Sequence, residues 1–294
     1  MIRAGGVLAA CLAASLVLAG CGDTAQSVAP TATPAPEPTA TVTVYQLGTT
    51  VWYEGLEITI VSITSTLDER GGPVEVVLRM DNPTDDDGTL DGAVSLVVGT
   101  LREDPTRDST IQPVPAQGSA AATLTFELQG ISSIGQAVLE IGAGPLHVAR
   151  VPITPFGGGL VDFEPVALAL SGSATSGTLK LTLRAGLLRW DLPDWSQELD
   201  ARLQALTLTY DATYSGGFTG GFAFTGDNVA LRLPDGTVVA PRRDGHSQSV
   251  ELIGAKKTKK GLSSRFEIPA GLTGQFNLLV RNGSTEKSIP FTIE

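Results

Sequence analysis

Trp190, Asp191, Asp194 and Trp195 place two aromatic rings among two carboxylates within six residues. Flat apolar rings beside acidic acceptors are a common means of holding a sugar or a partner's loop. The plainer reading is that the indoles plug the end of a β-sandwich. Asp81, Asp85, Asp86, Asp87 and Asp91 crowd one inter-strand stretch. Asp85, Asp87 and Asp91 are its candidate ligands for calcium, a hard ion that takes about six to eight oxygens. Their spacing departs from the D-x-[DN]-x-[DN]-G loop with its distal Glu, so a solvated acidic turn is the default. Lys256, Lys257, Lys259 and Lys260 form a basic tip. It would meet anionic wall polymers or lipid headgroups, or simply keep a hairpin soluble. Gly216, Gly217, Gly220, Gly221 and Gly226 surround Phe218, Phe222 and Phe224. No Lys-Ser/Thr follows, which excludes a phosphate loop. What remains is a strand connection with its rings turned inward, or an interaction through exposed phenylalanine.

Catalysis has little to stand on. His147 and His246 are the only histidines and do not occupy matching positions. A serine triad would need one of them beside a nucleophile, and no G-x-S-x-G elbow exists. Zinc would need ligands that two histidines cannot supply. A carboxylate pair would suffice for glycoside hydrolysis, yet nothing marks two acids among the 31 present. No catalytic constellation and no cofactor are expected.

The clearest chemistry belongs to Cys21. Arg3 supplies a positive start, Gly5 to Ala19 is an uncharged run rich in Ala, Leu and Val, and small residues follow. That is the layout of a secretory signal. At about 15 residues the run is shorter than the roughly 20 a helix needs to cross a bilayer. Leu18-Ala19-Gly20-Cys21 resembles the bacterial lipobox, which implies cleavage before Cys21 and a diacylglycerol on its thiol. Several acyl chains, at about 0.8 kcal/mol per buried CH₂, anchor far more firmly than one. Cys11 lies within the signal and Cys21 at the cut, so a mature chain holds no disulfide and relies on core burial.

The elements that would carry these residues follow from composition and pattern. Gly22 to Thr43 interleaves Pro30, Pro34, Pro36 and Pro38 with Thr and Ala, and shows no apolar periodicity. Such a stretch favours extended, solvated conformations and at about 3.1 Å per residue reaches roughly 70 Å. Loss of Arg3 with the signal leaves 19 basic residues against 31 acidic ones. An acidic chain has no general pull toward nucleic acid.

Comparing the sequence with itself shows a duplication. Phe126-Glu127-Leu128 returns as Phe266-Glu267-Ile268, Gly135-Gln136 as Gly274-Gln275, and Val151-Pro152-Ile153-Thr154 as Ile289-Pro290-Phe291-Thr292. The offsets are 140, 139 and 138, so order and spacing both hold. Apolar residues alternate at period two: Leu56, Ile58, Ile60; Val74, Val76, Leu78, Met80; Leu124, Phe126, Leu128; Leu179, Leu181, Leu183; Leu206, Leu208, Tyr210. One apolar and one polar face mark antiparallel strands half buried in a sandwich. Asp87-Gly88, Asp235-Gly236, Asp244-Gly245 and Asn282-Gly283 supply turns. The one helical candidate is Asp194 to Leu203, in an insertion, Leu187 to Ala201, that the first copy lacks. A short helix or an ordered loop is expected there.

Lipobox, leash, Val44-Tyr45-Gln46-Leu47-Gly48-Thr49-Thr50, Gly55-Leu56-Glu57-Ile58-Thr59-Ile60, Asp81-Asn82-Pro83-Thr84 and Leu231-Arg232-Leu233-Pro234-Asp235-Gly236-Thr237 follow in order. This pattern resembles bacterial surface lipoproteins with telokin-like, immunoglobulin-like domains. The resemblance implies an all-β protein of two tandem immunoglobulin-like antiparallel β-sandwich domains, with no catalytic motif. The expected organisation is a signal peptide over 1–20, a linker over 21–43, and sandwiches over 44–155 and 160–294. The expected function is a lipid-anchored extracytoplasmic protein that presents its domains to an envelope protein or glycan. The alternatives are a spacer or accessory subunit of an envelope complex, and a glycan hydrolase.

Overall fold

Period-two burial runs through the strands as the alternation predicts. Val74, Val76, Leu78 and Met80 are fully buried, while Glu75 and Arg79 between them face solvent. A computed structural model describes residues 39–90, 94–243 and 250–294. The signal, the lipobox with Cys21, most of the leash, Asp91, the Asp244-Gly245 turn and His246 lie outside the described residues.

The first sandwich comprises β1 (Thr41–Tyr53), β2 (Leu56–Leu67), β3 (Gly71–Asp81), β4 (Val94–Val98), β5 (Leu101–Glu103), β6 (Ser119–Gln129), β7 (Val138–Ile141) and β8 (Ala149–Pro152). One antiparallel sheet runs β1-β2-β3-β6 and the other β5-β4-β7-β8. Pairing begins at Thr41, opposite Leu67, so the first strand takes Thr41–Thr43 from the stretch expected as linker. The β-branched run Thr41-Val42-Thr43 suits a strand once a partner edge is present.

The second sandwich comprises β9 (Val166–Leu168), β10 (Gly172–Ser176), β11 (Leu179–Arg189), β12 (Asp191–Leu192), β13 (Gln197–Glu198), β14 (Leu203–Tyr214), β15 (Phe222–Phe224), β16 (Val229–Arg232), β17 (Val238–Val239), β18 (Glu251–Ile253), β19 (Lys257–Pro269), β20 (Gly274–Asn282) and β21 (Thr285–Ile293). Its sheets run β10-β11-β14-β19 and β17-β16-β20-β21. Strand for strand this repeats the first sandwich, with β9, which pairs with β11, and the pairs β12-β13 and β15-β18 added. Phe126 and Phe266 are fully buried in the corresponding strands β6 and β19. β2 and β11 also correspond, and each carries a bulge, after Ile60 and after Leu183.

Each sandwich closes over its own apolar cluster, one drawn from Val51 to Ile153 and the other from Leu170 to Ile293. A third, small cluster joins Leu192, Leu199 and Ala205. Pro38–Glu294 forms one compact unit.

Asn82 organises the end of β3. Its buried amide donates to the carbonyls of Asp86 (2.8 Å) and Val114 (3.2 Å), and its Oδ1 accepts from Thr84 N (3.0 Å) and Thr84 Oγ1 (2.7 Å). Deleting a buried polar group leaves its partners unsatisfied at about 1–3 kcal/mol. Asn82→Ala is therefore expected to lower the urea midpoint by an amount worth about 2–3 kcal/mol. An unchanged midpoint would remove Asn82 from this role.

Candidate functional site at the junction of the sandwiches

The insertion that the first copy lacks folds as a hairpin rather than a helix. β12 pairs with β13, Asp191 opposite Glu198 and Leu192 opposite Gln197, around a single 3-10 turn at Pro193–Trp195. Pro193 starts that turn, but Ser196 at φ 44° ends it in the left-handed region. Asp194, the first residue of the helical candidate, pairs with Arg265 of β19. Glu198 is drawn into pairing with Asp191, so the periodicity of 194–203 serves a hairpin.

The hairpin is laid against the first sandwich. Gly55, in the turn between β1 and β2, donates its N–H to Asp191 Oδ2 at 2.7 Å, and Glu54 N donates to Glu198 Oε2 at 3.2 Å. Gly55 has φ 87°, and a Cβ there would lie 2.9 Å from Pro193 Cα. Only glycine permits both the conformation and the approach. On the flank, His147 N donates to Leu199 O (3.3 Å), Ala201 N donates to Pro145 O (2.9 Å), and His147 Nε2 lies 2.7 Å from Leu203 O. Phe163 links the two sides, with ring centres 4.9 Å from His147 and 5.7 Å from Trp190.

At the centre sits a charged cluster. Arg189 Nε donates to Asp191 Oδ1 (2.6 Å) and Arg189 Nη2 to Asp191 Oδ2 (2.9 Å). The same guanidinium stands 5.5 Å over the Trp52 ring of the first sandwich, a cation–π distance. Glu198 is buried, and its Oε1 has no hydrogen-bond partner among the described residues. Burial, joined by the neighbouring Asp191 carboxylate, pushes Glu198 up to about 9. Glu198 is therefore neutral at pH 7, and its carboxyl can both donate and accept. Burial and the nearby Glu54 and Glu198 carboxyls raise the Tyr53 phenol above its usual range. The cluster joins two sandwiches.

Of the four candidate binding residues, three have protein partners. Trp190 packs on Phe163, Asp191 holds Arg189 and Gly55, and Asp194 holds Arg265. Trp195 is 52 % exposed, so it does not plug the sandwich end. The structure brings Trp190 and Asp191 to the junction and leaves the Trp195 ring outside it. Sequence reasoning passed over Tyr53, Arg189 and Glu198, took Gly55 only as part of a strand pattern, and weighed His147 only for catalysis and zinc. The only signal for them is that the first copy has no counterpart of the hairpin.

The other candidates are dispersed. Asp85 accepts from Gln117 Nε2 (3.2 Å), Asp87 accepts from Ala116 N (3.0 Å), and Asp81 pairs with Arg79 (2.9 Å). Among the described residues no group of three or more His, Cys, Asp or Glu is arranged to hold a metal ion. Phe224 is buried and Phe222 stacks on Tyr214, but Phe218 projects into solvent. Lys256 sits in the turn between β18 and β19, and Lys257, Lys259 and Lys260 open β19. No helix among the described residues is long and apolar enough to cross a membrane.

No protein-family model matches the chain, and no curated protein matches it. Among solved structures it is similar to "the conserved domain protein from Bacillus anthracis". That likeness is 11% identity over 85% of this chain and 90% of that one, at a TM-score of 0.25, too low to bear on function.

Proposed function

We propose that this chain is a lipid-anchored extracytoplasmic protein that holds two immunoglobulin-like sandwiches on a leash for binding at the cell envelope. The observation that carries the reading is the placement of Cys21 directly after Leu18-Ala19-Gly20, twenty residues before β1 starts at Thr41. The immunoglobulin-like part is supported by strand order. β2-β3-β6 facing β5-β4-β7-β8 follows the pairing scheme of such sandwiches, with β1 added outside. A short tether raises the local concentration of whatever the sandwiches meet on the same surface.

Cys21→Ser tests the anchor. Expressed in a bacterium, the parent chain is expected to incorporate labelled fatty acid and to leave membranes only with detergent, whereas Cys21→Ser does neither. A parent chain that takes up no label overturns the reading.

One observation favours a second reading, that of a spacer or accessory subunit. The insertion is the most distinctive part of the second copy, and it joins the sandwiches instead of opening a cleft. A constitutive partner co-purifying in detergent would support the spacer, and isolation of the chain alone would count against it.

A further inference from the structure

All six lysines of the chain, Lys180, Lys256, Lys257, Lys259, Lys260 and Lys287, belong to the second sandwich. Residues 44–155 carry 15 carboxylates against 5 arginines, whereas residues 160–294 carry 14 acidic and 14 basic side chains. The positive charge is further concentrated along the strands. β14 leaves the junction at Leu203 and ends at Tyr214, which pairs with Lys257, while Ala212 pairs with Lys259. On its other side Lys180 stands opposite Thr213. Lys256 occupies a tight turn at φ 57°, closed by Lys257 N donating to Gly254 O at 3.1 Å. These lysines are all exposed, at the end of β14 farthest from the first sandwich. β14 has 12 residues, which puts them about 40 Å from the junction at ~3.3 Å per residue.

Two large apolar side chains project from the same end. Phe218 is 68 % and Leu252 67 % exposed. They flank Gly220 and Gly221, where Gly221 N donates to Phe218 O at 3.0 Å. A Cβ on Gly220 would fall 2.5 Å from the Phe218 ring, and one on Gly221 would fall 2.7 Å from Ile253 O and 3.2 Å from Leu252 Cδ1. The glycines let the loop fold flat onto β18. Beneath it Tyr214 stacks on Phe222 with ring centres 5.5 Å apart, so the loop rests on a packed base. Glu251 pairs with Lys259 at 3.0 Å, and Asp211 is held by Arg184 at 2.7 Å. Lys256, Lys257 and Lys260 carry the remaining positive charge of the tip.

We propose that this tip docks on an anionic lipid surface, with Phe218 and Leu252 entering the interface and Lys256, Lys257 and Lys260 meeting the phosphates. Charge complementarity selects an anionic partner from a chain whose other sandwich is strongly acidic. The projecting phenyl and isobutyl groups select a bilayer over a soluble polyanion. A polyanion offers nothing to bury them, whereas the headgroup boundary takes apolar and basic side chains together. The proposal needs no acyl chain on Cys21 and stands or falls apart from it.

The test uses residues 38–294, the compact unit with its own cores. Sedimentation with vesicles of phosphatidylcholine alone is compared with vesicles that also contain phosphatidylglycerol. Binding is expected only to the second, and weakening with salt. Changing Lys256, Lys257 and Lys260 to Gln is expected to reduce it about 100-fold, since each Lys near a charged surface contributes roughly tenfold or less. Phe218→Ser with Leu252→Ser is expected to reduce it about 10-fold or more. Phe218→Trp, which keeps the ring, should bind like the parent and show blue-shifted emission on the anionic vesicles. No binding to phosphatidylglycerol vesicles, or equal binding to both kinds, overturns the proposal. So does a Phe218→Ser, Leu252→Ser protein that binds like the parent while polyphosphate displaces it, which would assign the tip to a soluble polyanion.

Discussion

Asp191→Ala lowers stability by about 3–5 kcal/mol, the cost expected when one partner is removed from a buried ion pair. The Asp191 carboxylate is buried and bridges both sandwiches, taking two hydrogen bonds from Arg189 and one from Gly55 N. Its loss strands a guanidinium that is itself nearly covered, together with a buried N–H of the first sandwich. The parent is expected to unfold in urea as one transition, because the hairpin couples two cores. Asp191→Ala is expected to separate the transitions, since each sandwich retains its own cluster. A single transition at the parent's midpoint would show that the junction does not couple the sandwiches.

Glu198→Gln is expected to act in the opposite direction, and only above acid pH. In the unfolded chain this carboxyl titrates near its usual 4.5, and in the fold it titrates at about 9. Between those values the folded state holds a proton that the unfolded state has released. Stability therefore falls as pH rises across this window, by an amount on the order of a few kcal/mol in all. Below about 4.5 both states are protonated and the group contributes no slope. The substituted amide is always neutral and has nearly the same shape, so the variant should match the parent near pH 5 and melt several degrees higher near pH 8. The groups facing Glu198 are Asp191, Arg189, Glu54 and Tyr53. A variant that melts lower than the parent at pH 8 would mean that Glu198 is ionised in the fold.

The two variants are linked. With Asp191 gone, the Asp191 charge no longer opposes ionisation of Glu198, and Arg189 needs an anion. The pH slope assigned to Glu198 should therefore shrink in Asp191→Ala. A double-mutant cycle with Glu198→Gln measures that coupling directly.

Much of the fold was legible locally. Val74, Val76, Leu78 and Met80 announce a half-buried strand because side chains alternate every residue, a property of the backbone alone. The duplication was legible because Phe126 and Phe266 recur with their flanking order intact, and they fall in corresponding strands. The hairpin at Asp191–Glu198 was not. Asp194 and Gln197 suit a helix start, and nothing nearby in sequence reveals that Arg265, 71 residues away, claims Asp194. Phe218 looks in sequence like Phe222 and Phe224, a ring to be turned inward. Its exposure depends on how the Gly216–Gly221 loop lies over Tyr214 and β18.

By itself the sequence determined the period-two strands and the turns at Asp235-Gly236 and Asn282-Gly283, which rest on neighbours within a few residues, and the repetition of one fold, which rests on like segments 138 to 140 residues apart. Only the tertiary structure decided that Asp191 and Glu198 bind the first sandwich and that lysines and Phe218 meet at the far end of the second. Both depend on contacts between strands distant in sequence. A carboxylate's chemistry is set by what surrounds it in space, which its own segment does not encode.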